Sequence, residues 1–108
     1  MKSLICLLLV FITYIPYSQT GDCGNRYDSE IFQELTVETV TYSDDYGLLM
    51  DIYTPVGDTF TDRPLLIFAH GGVFIGGSKT NPTMVNLCES FAKRGYVTAS
   101  INYRLATH

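Results

Sequence analysis

Residues 65–103 read LLIFAHGGVFIGGSKTNPTMVNLCESFAKRGYVTASINY, and the changes of texture along them decide the fold. "LLIFAH" (65–70) is a continuous apolar run, as expected for a strand buried on both faces. Glycines follow at 71, 72, 76 and 77. That density is conformationally expensive unless the main chain must turn tightly or approach something closely. Asn81 then offers an N-cap and Pro82 a first helical residue. Met84, Val85, Cys88, Phe91 and Ala92 fall near one helical face, Lys93 and Arg94 suit the negative C-terminal end, and Gly95 stands as a C′ stop. "YVTASINY" (96–103) is a second, mostly apolar strand. Strand, helix and strand over this length predict a right-handed βαβ unit with parallel strands.

Outward from that unit, "LTVETVTY" (35–42) alternates as a half-exposed strand. "SDDYG" (43–47) supplies turn residues, and "LLMDIYT" (48–54) returns, so the two runs make an antiparallel hairpin. "PVGDTFTDRP" (55–64) is a loop bounded by prolines, and residues 21–34 form a polar, irregular lead-in. The fold class is therefore α/β, an antiparallel hairpin leading into a parallel βαβ unit. One helix covers only one side of a sheet that needs both sides covered. The residues left for the domain (35–108) are too few to finish such a core. An incomplete fold is expected, with the strand at 96–103 left as an unpaired edge through which the chain would self-associate.

The N-terminus has a different character. Lys2 precedes an apolar run from Leu4 to Ile15, followed by Pro16 and the small or polar Ser18 to Gly21. This reads as a secretory signal peptide over residues 1–20 and a secreted or periplasmic location. An uncleaved anchor is the alternative, but the run is short of the ~20 residues a stable span needs. Without Lys2 the 7 basic residues fall to 6 against 11 acidic, a formal charge of −5. That balance argues against nucleic acid, which is gripped by Lys and Arg at its phosphates. Cys88 reads as a buried free thiol on the helix's apolar face, and the pairing of Cys23 stays open. Asp44, Asp45 and Asp51 read as turn and strand-edge residues without metal-ligand spacing, and Lys79 as a solvated loop charge.

Two chemistries place bare glycines between a strand and a helix. Phosphate cradling would need G-x-x-x-x-G-K-[ST], and from Gly72 onward the lysine comes one residue late; the dinucleotide G-x-G-x-x-G is absent. An oxyanion hole would use preorganised backbone N–H groups to stabilise charge developing on a carbonyl oxygen, as in the HGGG-type motif that follows a strand.

His70-Gly71-Gly72-Val73-Phe74, with "LMDIYTP" (49–55) before it and "VTASINYRL" (97–105) after it, resembles the N-terminal part of an α/β-hydrolase of the carboxylesterase and hormone-sensitive-lipase-like group. The resemblance implies an incomplete α/β-hydrolase fold, with oxyanion-hole N–H groups at Gly72 and Val73 and a loop ordered by His70 and Gly71. Val73 departs from the family's glycine. Its N–H survives, while its branched side chain would narrow the acyl pocket or turn the loop. Asn102, Tyr103 and Arg104 match the family's "[DN]YRL" and are expected to pack behind the loop. The resemblance implies a small-molecule, carbohydrate or peptide ester as substrate and no cofactor.

Such an enzyme needs a nucleophile in G-x-S-x-G, then an acid and a histidine. Ser78, Ser90 and Ser100 do not fit that pattern, and His108 is not equated with the base. The expectation is the N-terminal fragment of a secreted serine carboxylesterase, inactive as 108 residues. The alternative is a non-catalytic remnant or binding module.

Overall fold

A computed structural model describes residues 24–107; the expected leader, Cys23 and His108 lie outside them. Strand β1 (Leu35–Ser43) pairs antiparallel with β2 (Leu48–Pro55) in the expected hairpin. Gly47, at φ +59°, closes its turn, its N–H donating to the Asp44 carbonyl at 3.2 Å. After the loop, β3 (Leu65–Ala69) leads through the glycines into α1 (Pro82–Lys93), and β4 (Val97–Ile101) returns parallel to β3. The sheet order is β1-β2-β4-β3, with β2 and β4 antiparallel.

The helix ends are built as the sequence predicts. Asn81 Oδ1 accepts the Thr83 N–H at 3.0 Å, which satisfies one of the donors a first turn leaves open. At the other end Gly95, at φ +99°, donates its N–H to the Ala92 carbonyl. Cys88 and Ala92 are fully buried against Tyr53 of β2, with Leu35 and Phe68 packed around them. Burial pushes the Cys88 thiol and the Tyr53 phenol above their ordinary pKa values. Thr98, on the helix-facing side of β4, is buried without penalty because its hydroxyl donates to the Cys88 carbonyl at 2.9 Å.

Two expectations about the sheet are corrected. β3 is not buried on both faces: Leu65 and Ile67 are 56% and 60% exposed, while Leu66 and Phe68 are half-buried. α1 packs on one face only, and every second residue of β3 points to the other. β4 is not an edge either. The crossover inserts it between β2 and β3, so the edges are β1 and β3. Among the described residues β3 is thus an edge with one face open, while its continuous apolar texture is that of a strand covered on both faces.

The lead-in is more ordered than its polarity suggests. Arg26 is buried and forks onto Asp58, Nη1 to Oδ1 at 2.9 Å and Nη2 to Oδ2 at 2.6 Å, while Nη2 also donates to the Gly95 carbonyl at 3.0 Å. Its guanidinium lies 4.1 Å from the Phe60 ring centroid and 5.1 Å from that of Tyr27. The Arg26 guanidinium holds the Asp58 carboxyl below its usual range, and Asp58 in turn raises the arginine. Backbone bonds from Tyr27 to Arg94 and from Ile31 and Phe32 to Lys93 fasten residues 27–32 across the end of α1, satisfying carbonyls that a helix leaves open there.

Candidate functional site

The site is the loop from His70 to Thr80, between the C-terminal end of β3 and the N-terminus of α1. Its backbone is strained. Gly72 adopts φ +133°, Val73 +46° and Phe74 +64°. Two successive non-glycine residues in the left-handed region, one of them β-branched, are held there only where the surroundings over-determine the backbone. The turn closes on the Gly72 carbonyl, which accepts from Ile75 at 3.0 Å and Gly76 at 3.2 Å. A Cβ on Gly72 would stand 2.1 Å from the Gly76 oxygen, and one on Gly77 would stand 2.4 Å from His70 Nδ1 and 2.6 Å from the Gly71 oxygen. Those two glycines are therefore required by close backbone approach. Gly71 and Gly76 face open space.

His70 is buried at the start of the loop, and its Nδ1 donates to the Gly71 carbonyl at 2.8 Å. Its ring stacks on Tyr103 with centroids 4.4 Å apart, and the Tyr103 hydroxyl donates back to the His70 carbonyl at 2.7 Å. Tyr103, just after β4, thus holds the histidine by both its ring and its carbonyl. Phe74 meets the edge of the same tyrosine, and its carbonyl accepts the Ala106 N–H at 2.7 Å.

Among the described residues, the backbone N–H groups of Gly72, Val73 and Phe74 make no hydrogen bond to another group of the protein. They border an open groove of about 560 Å³ lined by Ala69, His70, Gly71, Ile101 and Tyr103. Val73 is 80% exposed and does not fill it.

The far end of the loop contradicts the sequence reading. Lys79 is not a solvated charge, and Asp51 is not a strand-edge residue. Lys79 Nζ lies 2.6 Å from Asp51 Oδ2, with only 13% and 10% of the two side chains exposed. Asp51 sits in β2, an inner strand of the sheet, and its Oδ1 accepts from Thr39 of β1 at 2.6 Å. The Lys79 N–H donates to Asn102 Oδ1 at 2.6 Å, and its carbonyl accepts from Ser100 at 2.7 Å. A period-2 reading of β2 could have found the pair, since Asp51 shares the helix-facing side with Tyr53.

The serines are occupied structurally. Ser100 is buried and bonded to the Lys79 carbonyl, Ser90 donates to Glu30, and Ser78 shares a hydrogen bond with Thr80. Arg104 is exposed and reaches the Tyr46 hydroxyl at 3.2 Å. Asp44 and Asp45 lie in the hairpin turn. Among the described residues no group of three or more His, Cys, Asp or Glu side chains gathers as metal ligands, and no helix is long and apolar enough to cross a membrane.

A protein-family model described as BD-FAE matches residues 50–108, more than half of the chain and the whole of the loop with its flanking strands. The chain belongs to the BD-FAE family. The chain is also similar to proteins named as esterases. Esterase LipC of Mycobacterium tuberculosis is 35% identical over 69 residues, which is 64% of this chain and 17% of LipC. Two structures of Thermogutta terrifontis esterase 2, one phosphorylated by paraoxon and one phosphoramylated by tabun, superpose with a TM-score of 0.55 at 30% identity. Each superposition covers 77% of this chain and 31% of the other. This BD-FAE chain therefore has the α/β architecture of part of an esterase fold, and it spans less than a third of the length of these relatives.

Proposed function

We propose that the chain carries the oxyanion-stabilising part of a serine carboxylesterase of the HGGG type, with Gly72 and Val73 as the backbone donors. The observation that carries this reading is the set of unpartnered N–H groups on a strained, braced loop beside an open groove. Donors fixed before charge develops cost no reorganisation when it does, and that is what transition-state stabilisation needs. In an ester hydrolysis a serine oxygen would attack the carbonyl carbon. The carbonyl oxygen, becoming negative, would accept from Gly72 and Val73 as the tetrahedral intermediate forms. His70 orders the loop through Gly71, to whose carbonyl its Nδ1 donates.

None of the 108 residues lies in a G-x-S-x-G elbow, and this reading expects the nucleophile, with its acid and base, from outside these residues. An oxyanion hole alone retains only a small part of the catalysis, and the 108-residue chain by itself is inactive on this reading. Reaction of a Thermogutta relative with paraoxon supports an ester as the substrate class. The leader-like residues 1–20 support export, with 21–34 as the lead-in and 35–108 as the start of the hydrolase domain.

The test is to read the coding sequence beyond codon 108, express its product, and assay short-chain p-nitrophenyl esters and covalent labelling by paraoxon. An in-frame G-x-S-x-G followed by an acid and a histidine, with activity lost on Ser→Ala, is the expected result. A stop directly after codon 108 with a folded, inactive product would favour a non-catalytic binding remnant.

A further inference from the structure

The structure assigns Lys79 as a positioning residue for the oxyanion loop. Through its ion pair with Asp51 it holds the backbone that presents the Gly72 and Val73 N–H groups, an inference that rests on the oxyanion reading above. Lys79 is the next-to-last residue of the loop, and every polar atom it has is committed. Its Nζ meets Asp51 of β2, its N–H meets Asn102, and its carbonyl takes the Ser100 hydroxyl of β4. Asp51 is fixed in turn by Thr39 of β1. One residue therefore ties the end of the loop to β2 and β4 directly, and to β1 through Asp51.

That tie reaches the donors through two short steps. Gly77, two residues before Lys79, lies so close to His70 Nδ1 and the Gly71 oxygen that no Cβ fits between them. A shift of Lys79 carries Gly77 with it and releases the bracing of His70 and Gly71, the residues directly before Gly72. A nearly buried ion pair is weak evidence for stability, because desolvation offsets most of its attraction. Its better use is geometric. A long side chain with a single buried partner fixes the register of the loop against the sheet, where an apolar side chain would tolerate sliding.

The experiment uses the full-length protein with Lys79→Met, Asp51→Asn, the double variant and Lys79→Arg. Two readouts are taken: kcat and KM on p-nitrophenyl acetate, and amide hydrogen exchange over residues 70–80. The double variant leaves no uncompensated charge, so it remains informative if the single variants fail to fold. It is expected to lose about tenfold to hundredfold in kcat with KM within about twofold, the signature of misplaced rather than missing groups. Exchange over 71–77 should rise about tenfold while the amides of α1 and β4 stay protected. Lys79→Arg, which keeps a cation within reach of Asp51, should retain most of kcat. Exchange over 71–77 unchanged in the double variant, or kcat within about twofold of the parent, overturns the assignment. A parent protein without esterase activity overturns the oxyanion reading instead, and the exchange data then decide the bracing role alone.

Discussion

The four glycines of the loop provide the sharpest test of its geometry, because neighbours in sequence are predicted to behave oppositely. Gly77→Ala places a methyl 2.4 Å from His70 Nδ1 and 2.6 Å from the Gly71 oxygen, at φ +97°. The left-handed backbone costs an L-residue about 1–2 kcal/mol. The overlap cannot be relieved by a flexible side chain, since one partner is backbone and the other a stacked ring, and forced overpacking adds about 1–3 kcal/mol. The expected loss is therefore at least ~2 kcal/mol. Gly72→Ala, at φ +133° and 2.1 Å from the Gly76 oxygen, belongs with it. Gly76→Ala meets nothing within 4 Å and keeps the N–H that bonds to Gly72. It should be neutral or stabilising by up to ~1 kcal/mol through the unfolded chain. Urea unfolding of the full-length protein reads the difference. With a slope near 2 kcal/mol/M, Gly77→Ala should lower the midpoint by about 1 M and Gly76→Ala should not lower it. Equal midpoints for the two variants would refute the close approach of Gly77 to His70 on which the site description depends.

Two further outcomes follow from the anchoring of α1 and the lead-in. Asp58 is held below its ordinary pKa of 3.8 by Arg26, so its contribution to stability is full above that pH and is lost as pH falls toward the depressed folded value. Asp58→Asn should flatten the acid limb of a stability-against-pH profile below about pH 4; an unchanged acid slope would contradict the ion pair. Asn81→Ala removes the acceptor for the Thr83 N–H and should cost about 1 kcal/mol by chemical denaturation, with Asn81→Asp close to the parent.

Local rules made much of this fold legible. The helix was readable because Asn81, Pro82 and Gly95 each perform a job that few other residues can perform at that position. The hairpin was readable from alternation in β1 and the turn residues before Leu48. The glycine loop could be recognised from His70-Gly71-Gly72 and its flanking strands. What stayed hidden depended on partners far away in sequence. Arg26 looked like part of a polar tail, yet Asp58, 32 residues on, draws it under the aromatic rings of Phe60 and Tyr27. Lys79 looked solvated because nothing near it in sequence carries an opposite charge; Asp51 lies 28 residues back. The insertion of β4 between β2 and β3 was invisible for the same reason. Composition reports how apolar a strand is, but only the crossover decides which strand becomes its neighbour.

Val73 brings these strands of reasoning to one point. A β-branched residue at φ +46° costs on the order of 1–3 kcal/mol, and its exposed side chain recovers almost none of that by burial. The loop nevertheless keeps the conformation, so the energy must come from its ends. At one end the Tyr103 hydroxyl and ring hold His70; at the other, Asn102, Ser100 and Asp51 hold Lys79. Both sets of partners lie within or just beyond β2 and β4, the two inner strands of the sheet. The N–H groups of residues 72–74, which make no hydrogen bond within the protein, are thus carried on a segment that the sheet holds at both ends.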